Sequence, residues 1–544
     1  MRKVLLYICS VFILGGMTSC EDFLDKREDV GLTEDDIFRD YYSLRGFLDQ
    51  SFNQLENVMV MDNWENGRAF VGLFADEMAT TDNSSAVFTL HSGNWLSNAK
   101  SNKTFEIGNA GSTAISRSYK ALRINNRIIN DIDKAPLTPE QKNEILGQAY
   151  FYRSWFYFQI IKRYGGMPII DKVFEGGDDD IPRMTYHESH DWMMEDIQKA
   201  IYMLPDSWDD PNYGRPTKIA AMALKEWAQL FDASPLMQNN LNSTENKGYD
   251  TERAKSAAKS AYEVIRYMDG SKSAPYPYGL ASKEEYTNVF YFKYPPVHQP
   301  EYIWVKRQFP NAANQNQKRT IRTFWQYEDL AFGSGPDGNS MCCPSLNIVN
   351  MFDKKGADGI YYPIDDPRSG YALDYDHKPF EDRDPRFYNN ILLPGTTWGH
   401  YADGRTYYIT TYKGGAAYQH MLTQKDCNKR MFTGFMCKKF MWPECNQYLE
   451  KNNPNCWWDY RFLTIYIRAS QIYLDYAEAL FEGCGSATAT IEGCPISAAE
   501  AINILRRRIG LTDLPSDIVA DPDKFRAAYR RERAVELMFE NHRW

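Results

Sequence analysis

The side chains that could do chemistry in this sequence are its clustered carboxylates and its aromatic rings. Asp178-Asp179-Asp180, Asp209-Asp210, Asp365-Asp366 and the Asp382/Asp384 pair offer acid–base groups. A glycoside hydrolase needs two carboxylates facing each other across a substrate, and neighbours on one loop do not supply that geometry. Solvated turns account for most of these pairs. In "DRDPR" (382–386), Asp384-Pro385 starts a turn, and nearby arginines satisfy the carboxylates. The eight histidines offer no nucleophile or metal partner. His187 and His190 fall in the first turn of a helix, at the surface, and His542 stands alone. G-x-S-x-G, H-E-x-x-H and the phosphate-binding glycine loop are absent. Asp353 to Gly359 lacks the alternating ligands and closing Glu of a calcium loop. No catalytic residue, metal or cofactor is assigned.

Ring faces are the abundant resource. Aromatics make up 15% of the chain, with 37 Tyr and 13 Trp, so binding explains the composition better than proton transfer does. Sugar rings present C–H faces that pack on indole and phenol. Their hydroxyls need Asn, Gln, Asp or Arg at the edges, because a buried polar group without a partner is costly. The segment 309–340, "FPNAANQNQKRTIRTFWQYEDLAFGSGPDGNS", combines Asn311, Asn314, Gln315 and Gln317 with Arg322, Trp325 and Tyr327. "HSGNWLSN" (91–98) offers Asn94 and Trp95, and "PGTTWGHY" (394–401) offers Trp398. Each of these indoles could equally be core in a loop that folds back. Trp155, Trp192 and Trp227 sit on helical stripes and read as core.

Charge and targeting narrow the setting. The formal net charge is −10 and the isoelectric point is near 5.5. A polyanion needs a basic surface, so nucleic acid is excluded as a partner. Short basic pieces such as Arg506-Arg507-Arg508 read as a solvated helix face. Arg2 and Lys3 precede an apolar run, Val4 to Leu14, then Gly15 and Gly16. This is an export signal, too short to span a bilayer comfortably. Met17-Thr18-Ser19-Cys20 resembles a bacterial lipobox, which implies cleavage before Cys20 and acylation of its thiol. Several acyl chains hold a protein stably at a membrane. No Cys pair has C-x-x-C spacing, so zinc is not expected. Cys484/Cys494 and Cys445/Cys456 close short loops, as disulfides or as free thiols.

Positioning falls mainly to helices. Ala121, Ile124, Ile128, Ile129 and Ile132 form a stripe that stops before Pro136. Thr138-Pro139-Glu140-Gln141 reads as a capping box with Pro at the first helical position. That helix runs to Gly165-Gly166, and its middle, "AYFYRSWFYFQII", is aromatic all round and needs burial on several sides. Thr185-Tyr186-His187-Glu188 is a second box. Thr217 and Thr251 open two more helices, the second with Ala254, Ala257, Ala258 and Ala261 along one face. The simplest packing is antiparallel helix pairs. Residues 271–465 are rich in Gly, Pro, Asn and aromatics, with strands expected in "EYIWVKRQF" (301–309) and "TYYITTY" (406–412). Helices return with Ala469 to Leu480, with the box Ser497-Ala498-Ala499-Glu500 ending at Gly510, and with a last helix from Asp521-Pro522 still running at Trp544. An end inside a helical pattern predicts a fragment.

Taken in order, several stretches resemble the SusD/RagB family of outer-membrane nutrient-binding lipoproteins. They are "CEDFLD" with "LTEDDIFRDYYSLRGFLDQSFNQL", "AYFYRSWFYFQIIKRYGGMPII", "PSLNIVNMFDKKGADG" with "DRDPRFYNNILLPG", "YIRASQIYLDYAEAL" with "AAEAINILRRRIGL", and "RRERAVELMFENHRW". The resemblance implies a mainly α fold with tetratricopeptide-like helix pairs and a loop-rich, minor-β ligand-binding part. It divides the chain into a signal peptide (1–19), an N-terminal helical part (20–270) and a C-terminal part (271–544). That last part is loop-rich over 271–465 and helical over 466–544, and the family usually continues beyond it. The implied partner is a SusC-like TonB-dependent β-barrel transporter. The implied ligand is an oligosaccharide or, in some relatives, a peptide. The segments carrying Asn94/Trp95 and Arg322/Trp325/Tyr327 occupy places that contact ligand in such relatives. Glu21-Asp22 fits the pattern that favours display on the cell exterior. A surface glycoside hydrolase is the alternative from another class.

Overall fold

The computed structural model describes residues 33–55, 74–79, 93, 114–173, 180–238, 247–274, 276–291, 298–307, 343–372, 376, 378–400, 406–415, 418, 433–440 and 463–544. The fold is mainly α. Two short N-terminal helices, α1 (Glu34–Ile37) and α2 (Tyr41–Gln54), lead to α3 (Ala114–Asp131) and α4 (Pro139–Tyr164). Then follow α5 (Tyr186–Met203), α6 (Lys218–Ala233) and α7 (Thr251–Gly270). Each of these helices from α2 to α7 packs on the next in sequence. Two of the three predicted capping boxes close; at Ser497 the hydroxyl accepts from the Glu500 N–H without the return bond. Thr138 and Thr185 each accept from the backbone at the third helical residue, and Gln141 and Glu188 reach back to complete both boxes. For α7 the cap is Asp250, whose carboxylate accepts from Glu252 and Arg253, so Thr251 is the first helical residue.

The centre of α4 has no solvent face. Every residue from Phe151 to Ile161 is buried. Phe151 and Trp155 meet Trp304 edge-on, at 4.8 and 4.7 Å between ring centroids, and Tyr157 meets Trp192 at 4.8 Å. Beyond Gly165 the chain turns against the entry to α5. A Cβ on Gly166 would lie 2.2 Å from the Met184 carbonyl oxygen, so only glycine permits this approach.

After α7 the chain leaves the helical stack for a lobe of short strands and loops. Its elements are β1 (Met78–Ala79), β2 (Tyr302–Arg307), β3 (Cys343–Pro344), α8 (Leu346–Asn350), β4 (Lys354–Lys355), β5 (Tyr361–Tyr362), α9 (Pro385–Asn390), β6 (Ile391–Leu392), β7 (Thr397–His400), β8 (Thr406–Tyr408) and β9 (Met436–Cys437). The expected strand at 406–412 is therefore only three residues long. Then β10 (Leu463–Arg468) pairs antiparallel with β2 and runs directly into α10 (Ala469–Cys484). That helix packs on α7, so the stack resumes where it broke off, and α11 (Ala498–Arg508) continues it. The short α12 (Ser516–Ala520) and α13 (Pro522–Glu536) follow. The last helix does not reach Trp544. It stops at Glu536, and left-handed Phe539 (φ 65°) and Asn541 (φ 66°) turn the tail back. Cys484 and Cys494 are free thiols, not a disulfide.

Two hydrophobic clusters form the core. One runs through the helical stack and includes Trp304 and Tyr466. The other fills the lobe, around Met78, Cys343, Phe387, Leu392, Ile409 and Met436. A buried charge network ties the lobe to the last helices and the tail. Arg468 donates to Glu301 (2.8 Å), Glu536 (2.8 Å) and Glu540 (2.7 Å). Arg386 reaches Asp384 (2.7 Å), Glu532 and Glu536, while Arg506 reaches Asp353 (2.9 Å). Arg508 joins Glu301 and Glu536, and Lys439 joins Glu540. Arg506 is thus buried and the Arg508 side chain is turned inward, and only Arg507 of this triplet is exposed on the solvated face the sequence suggested. Burial alone would raise the Glu536 carboxyl, but Arg508, Arg468 and Arg386 hold it well below the carboxylate range.

Candidate ligand-binding site

Asp384 shows how sequence becomes site. Its side chain caps α9 by accepting from the Arg386 backbone N–H, with Pro385 at the first helical position. The same carboxylate binds the Arg386 guanidinium, so this acid is a buried structural anchor with no room for catalysis. Asp209 and Asp210 are exposed, as expected of a turn. His187 bonds Asp232 through Nδ1 at 2.6 Å. His190 is buried beside the same carboxylate, contrary to the surface position expected, because the first turn of α5 faces α6. His542 is half-buried near Trp227, and desolvation depresses its imidazole to about 3, which keeps it neutral. Asp358 spends both carboxylate oxygens on the turn itself, accepting from the Ile360 N–H (3.0 Å) and the Tyr362 hydroxyl (2.7 Å). Among the described residues, no group of three or more His, Cys, Asp or Glu could hold a metal.

Asn94, Trp95, Arg322, Trp325, Tyr327 and Cys20 lie outside the described residues. Trp398 is on β7, paired with β8, but its side chain is outside the described set. What the structure does give is where their segments are rooted. The first begins after β1 and the second ends before β3, and these two strands pair: Met78 faces Pro344 and Ala79 faces Cys343. The Ser345 N–H donates to the Glu77 carbonyl (2.9 Å), and its hydroxyl donates to the Asp76 carbonyl. Beside β3 lies β9, which pairs with β6, and β6 leads into β7. All three candidate segments therefore leave one small patch of the lobe.

Both ends of the 308–342 segment are pinned. Its entry follows Lys306, which is half-buried against the end of α2, donates to the Leu55 carbonyl (2.9 Å) and lies 5.3 Å from the Phe52 ring centre. Burial, with Arg117 adding to it, lowers the Lys306 ammonium to about 8. Its exit is held by the β1–β3 staple, which the C-terminal tail clamps. Arg543 binds Asp76 (2.8 Å), and the Phe539 N–H donates to the buried Glu77 carboxyl (3.0 Å). Glu77 and Lys306 carry no motif, and Ser345 is marked only within "PSLNIVNMFDKKGADG", where it caps α8. Their partners at these roots are hundreds of residues away, and no local pattern marks the pairings.

Comparison with known proteins decides the lineage. The family model described as "SusD family" matches residues 300–544, and the model described as "Starch-binding associating with outer membrane" matches residues 22–226. The chain belongs to the SusD/RagB family. Among solved structures, a SusD-like protein from Bacteroides fragilis superposes with a TM-score of 0.68 at 22% identity, over 94% of this chain and 86% of its own. A SusD-like carbohydrate-binding protein from the same species gives 0.63 at 19% identity, over 93% and 85%. A laminarin-binding SusD-like protein gives 0.57 at 17% identity, over 92% and 89%. At these identities the likeness concerns the fold. No functionally curated protein matches the chain.

Proposed function

We propose that this SusD/RagB protein captures a glycan at the cell surface and delivers it to a SusC-like TonB-dependent outer-membrane transporter. Cys20 is its acylated anchor, and the body faces the cell exterior. Asn94 and Trp95 on one segment, Arg322, Trp325 and Tyr327 on another, and Trp398 on β7 form the binding surface. Indole and phenol faces take the C–H faces of the sugar, and Asn and Arg meet its hydroxyls. The protein binds without catalysis. The observation that carries this reading is the common root: the β1–β3 pairing sets the start of one aromatic segment beside the end of the other. A surface built on pinned roots loses less freedom when a flexible chain binds. The descriptions of the family and of its solved members, starch-binding, carbohydrate-binding and laminarin-binding, support the same reading.

A glycan array tests it. The protein is expected to bind at least one polysaccharide fragment, with Trp95→Ala and Trp325→Ala each weakening binding by about tenfold or more. Binding of no glycan, or undiminished binding by both variants, overturns the assignment. A barrel partner is expected to co-purify from membranes, and a Cys20→Ala chain is expected to lose membrane association.

A further inference from the structure

Glu77 stands at a junction between the β1–β3 staple and the C-terminal turn. Its carboxyl is fully buried and accepts the N–H of Phe539, a bulky residue held at φ 65°. Left-handed backbone is disfavoured for such a side chain, so this turn needs an external hold. One residue before Glu77, Asp76 is bound by Arg543; one residue after it, Met78 begins the strand pairing. The polar links between the tail and the shared root therefore fall within one residue of Glu77 among the described contacts, and three residues upstream the Phe74 ring meets Trp544 at 5.4 Å.

Two cations act on it, and burial outweighs both. From β9 and the residues after it come the Cys437 thiol and Lys439. Lys439 is already committed to the Glu536 carbonyl (3.0 Å), the Met538 carbonyl (2.9 Å) and Glu540 (2.6 Å). From the tail comes Arg543, bound to Asp76, and Asp76 itself adds like charge. From β3 comes Cys343, opposite Ala79. We propose that Glu77 is the positioning residue that locks the shared root of the 80–113 and 308–342 segments to the C-terminal turn, and that the lock is tight only while its carboxyl is uncharged. This rests on the proposed binding surface for its consequence, but not for its test.

Burial raises Glu77 from 4.5 to about 7, with the Phe539 N–H, Lys439 and Arg543 opposing that rise. A carboxyl whose pKa is raised in the closed state favours closure at low pH. That contribution is complete below the open-state value of 4.5, and it is lost as pH rises to the closed-state value of about 7. Hydrogen exchange on the ligand-free protein, corrected for intrinsic rates, reads the lock at residues 76–79, 343–345 and 537–541. In the wild type, opening there is expected to increase more than about tenfold from about pH 5.5 to about pH 7.5, then level off. Glu77→Gln keeps an acceptor for Phe539 and is expected to flatten the profile. A flat wild-type profile overturns the proposal without any variant, and so does a Glu77→Gln profile that follows the wild type. Where glycan binds, its affinity is expected to weaken over the same window in the wild type and not in Glu77→Gln. Failure to find a glycan would sink the binding surface alone, because the exchange measurement needs no ligand.

Discussion

The helical stack and the loop-rich lobe are held by different physics. In the stack, α7 presents Ala254, Ala257, Ala258 and Ala261, all buried, to neighbours on both sides, α6 and α10. Small side chains at helical spacing bring the axes close, and dispersion and burial do the rest. In the lobe, strands of two to six residues cannot make a sheet with its own core. Five cations with buried side chains, Arg386, Lys439, Arg468, Arg506 and Arg508, instead draw together carboxylates from 301, 353, 384, 532, 536 and 540. Apart from α10 on α7, the stack is built from neighbours in sequence, and the lobe from residues that meet only in three dimensions. A helical scaffold thus tolerates a lobe whose surface loops can vary, because the lobe's attachment is concentrated in a few directional contacts.

The sharpest way to break this contrast is at Arg468. Its guanidinium satisfies three glutamates, the Ser470 hydroxyl and the Glu536 carbonyl, and it is 1% exposed. Arg468→Met leaves Glu301, Glu536 and Glu540 buried with fewer counter-charges. Removing one partner of a buried ion pair costs about 3–5 kcal/mol, and unfolding in denaturant is expected to show a loss of at least that size. Limited proteolysis should cut first between 380 and 440, with the helical stack protected. A loss near zero would mean that the lobe is held by its apolar cluster after all.

The stack should respond to volume instead. Ala258 is fully buried on α7, where α6 and α10 close in from either side. Ala258→Leu is expected to cost about 1–3 kcal/mol through overpacking, read by the same denaturant titration. The pair of results separates the two interiors: the first should weaken the lobe and spare the stack, the second should lower the midpoint of the stack itself.

This division also explains what could be read in the chain. Thr138 with Gln141, Thr185 with Glu188, and the stripe before Pro136 are local signals, because a helix satisfies its own backbone and its pattern repeats every few residues. The aromatic centre of α4 announced its burial in the same way. Arg506 and Arg508 looked like surface charge because nothing nearby in sequence pairs them; Glu301 is about two hundred residues upstream. His190 failed for the same reason, since its burial depends on α6. The candidate sugar-binding residues were readable as types, Trp with Asn and Arg, but not as a surface. Only the β1–β3 pairing, between strands too short to carry a periodic signal, brings their segments to one root.

The smallest expected effect lies at the cap of α4. The Thr138 hydroxyl accepts from the Gln141 N–H (3.3 Å), and the Gln141 side chain accepts from the Thr138 N–H (3.0 Å). Both groups are exposed, so water can replace each bond in part. Thr138→Ala removes the cap acceptor and is expected to cost about 1 kcal/mol. The double variant with Gln141→Ala should cost less than the sum of the two single changes, because each bond supports the other. If the loss instead approaches that of Arg468→Met, the entry to α4 is a keystone of the fold, and the stack is no more distributed than the lobe. A loss near 1 kcal/mol keeps the contrast: many small, local and replaceable contacts on one side, and a few large, buried and irreplaceable ones on the other.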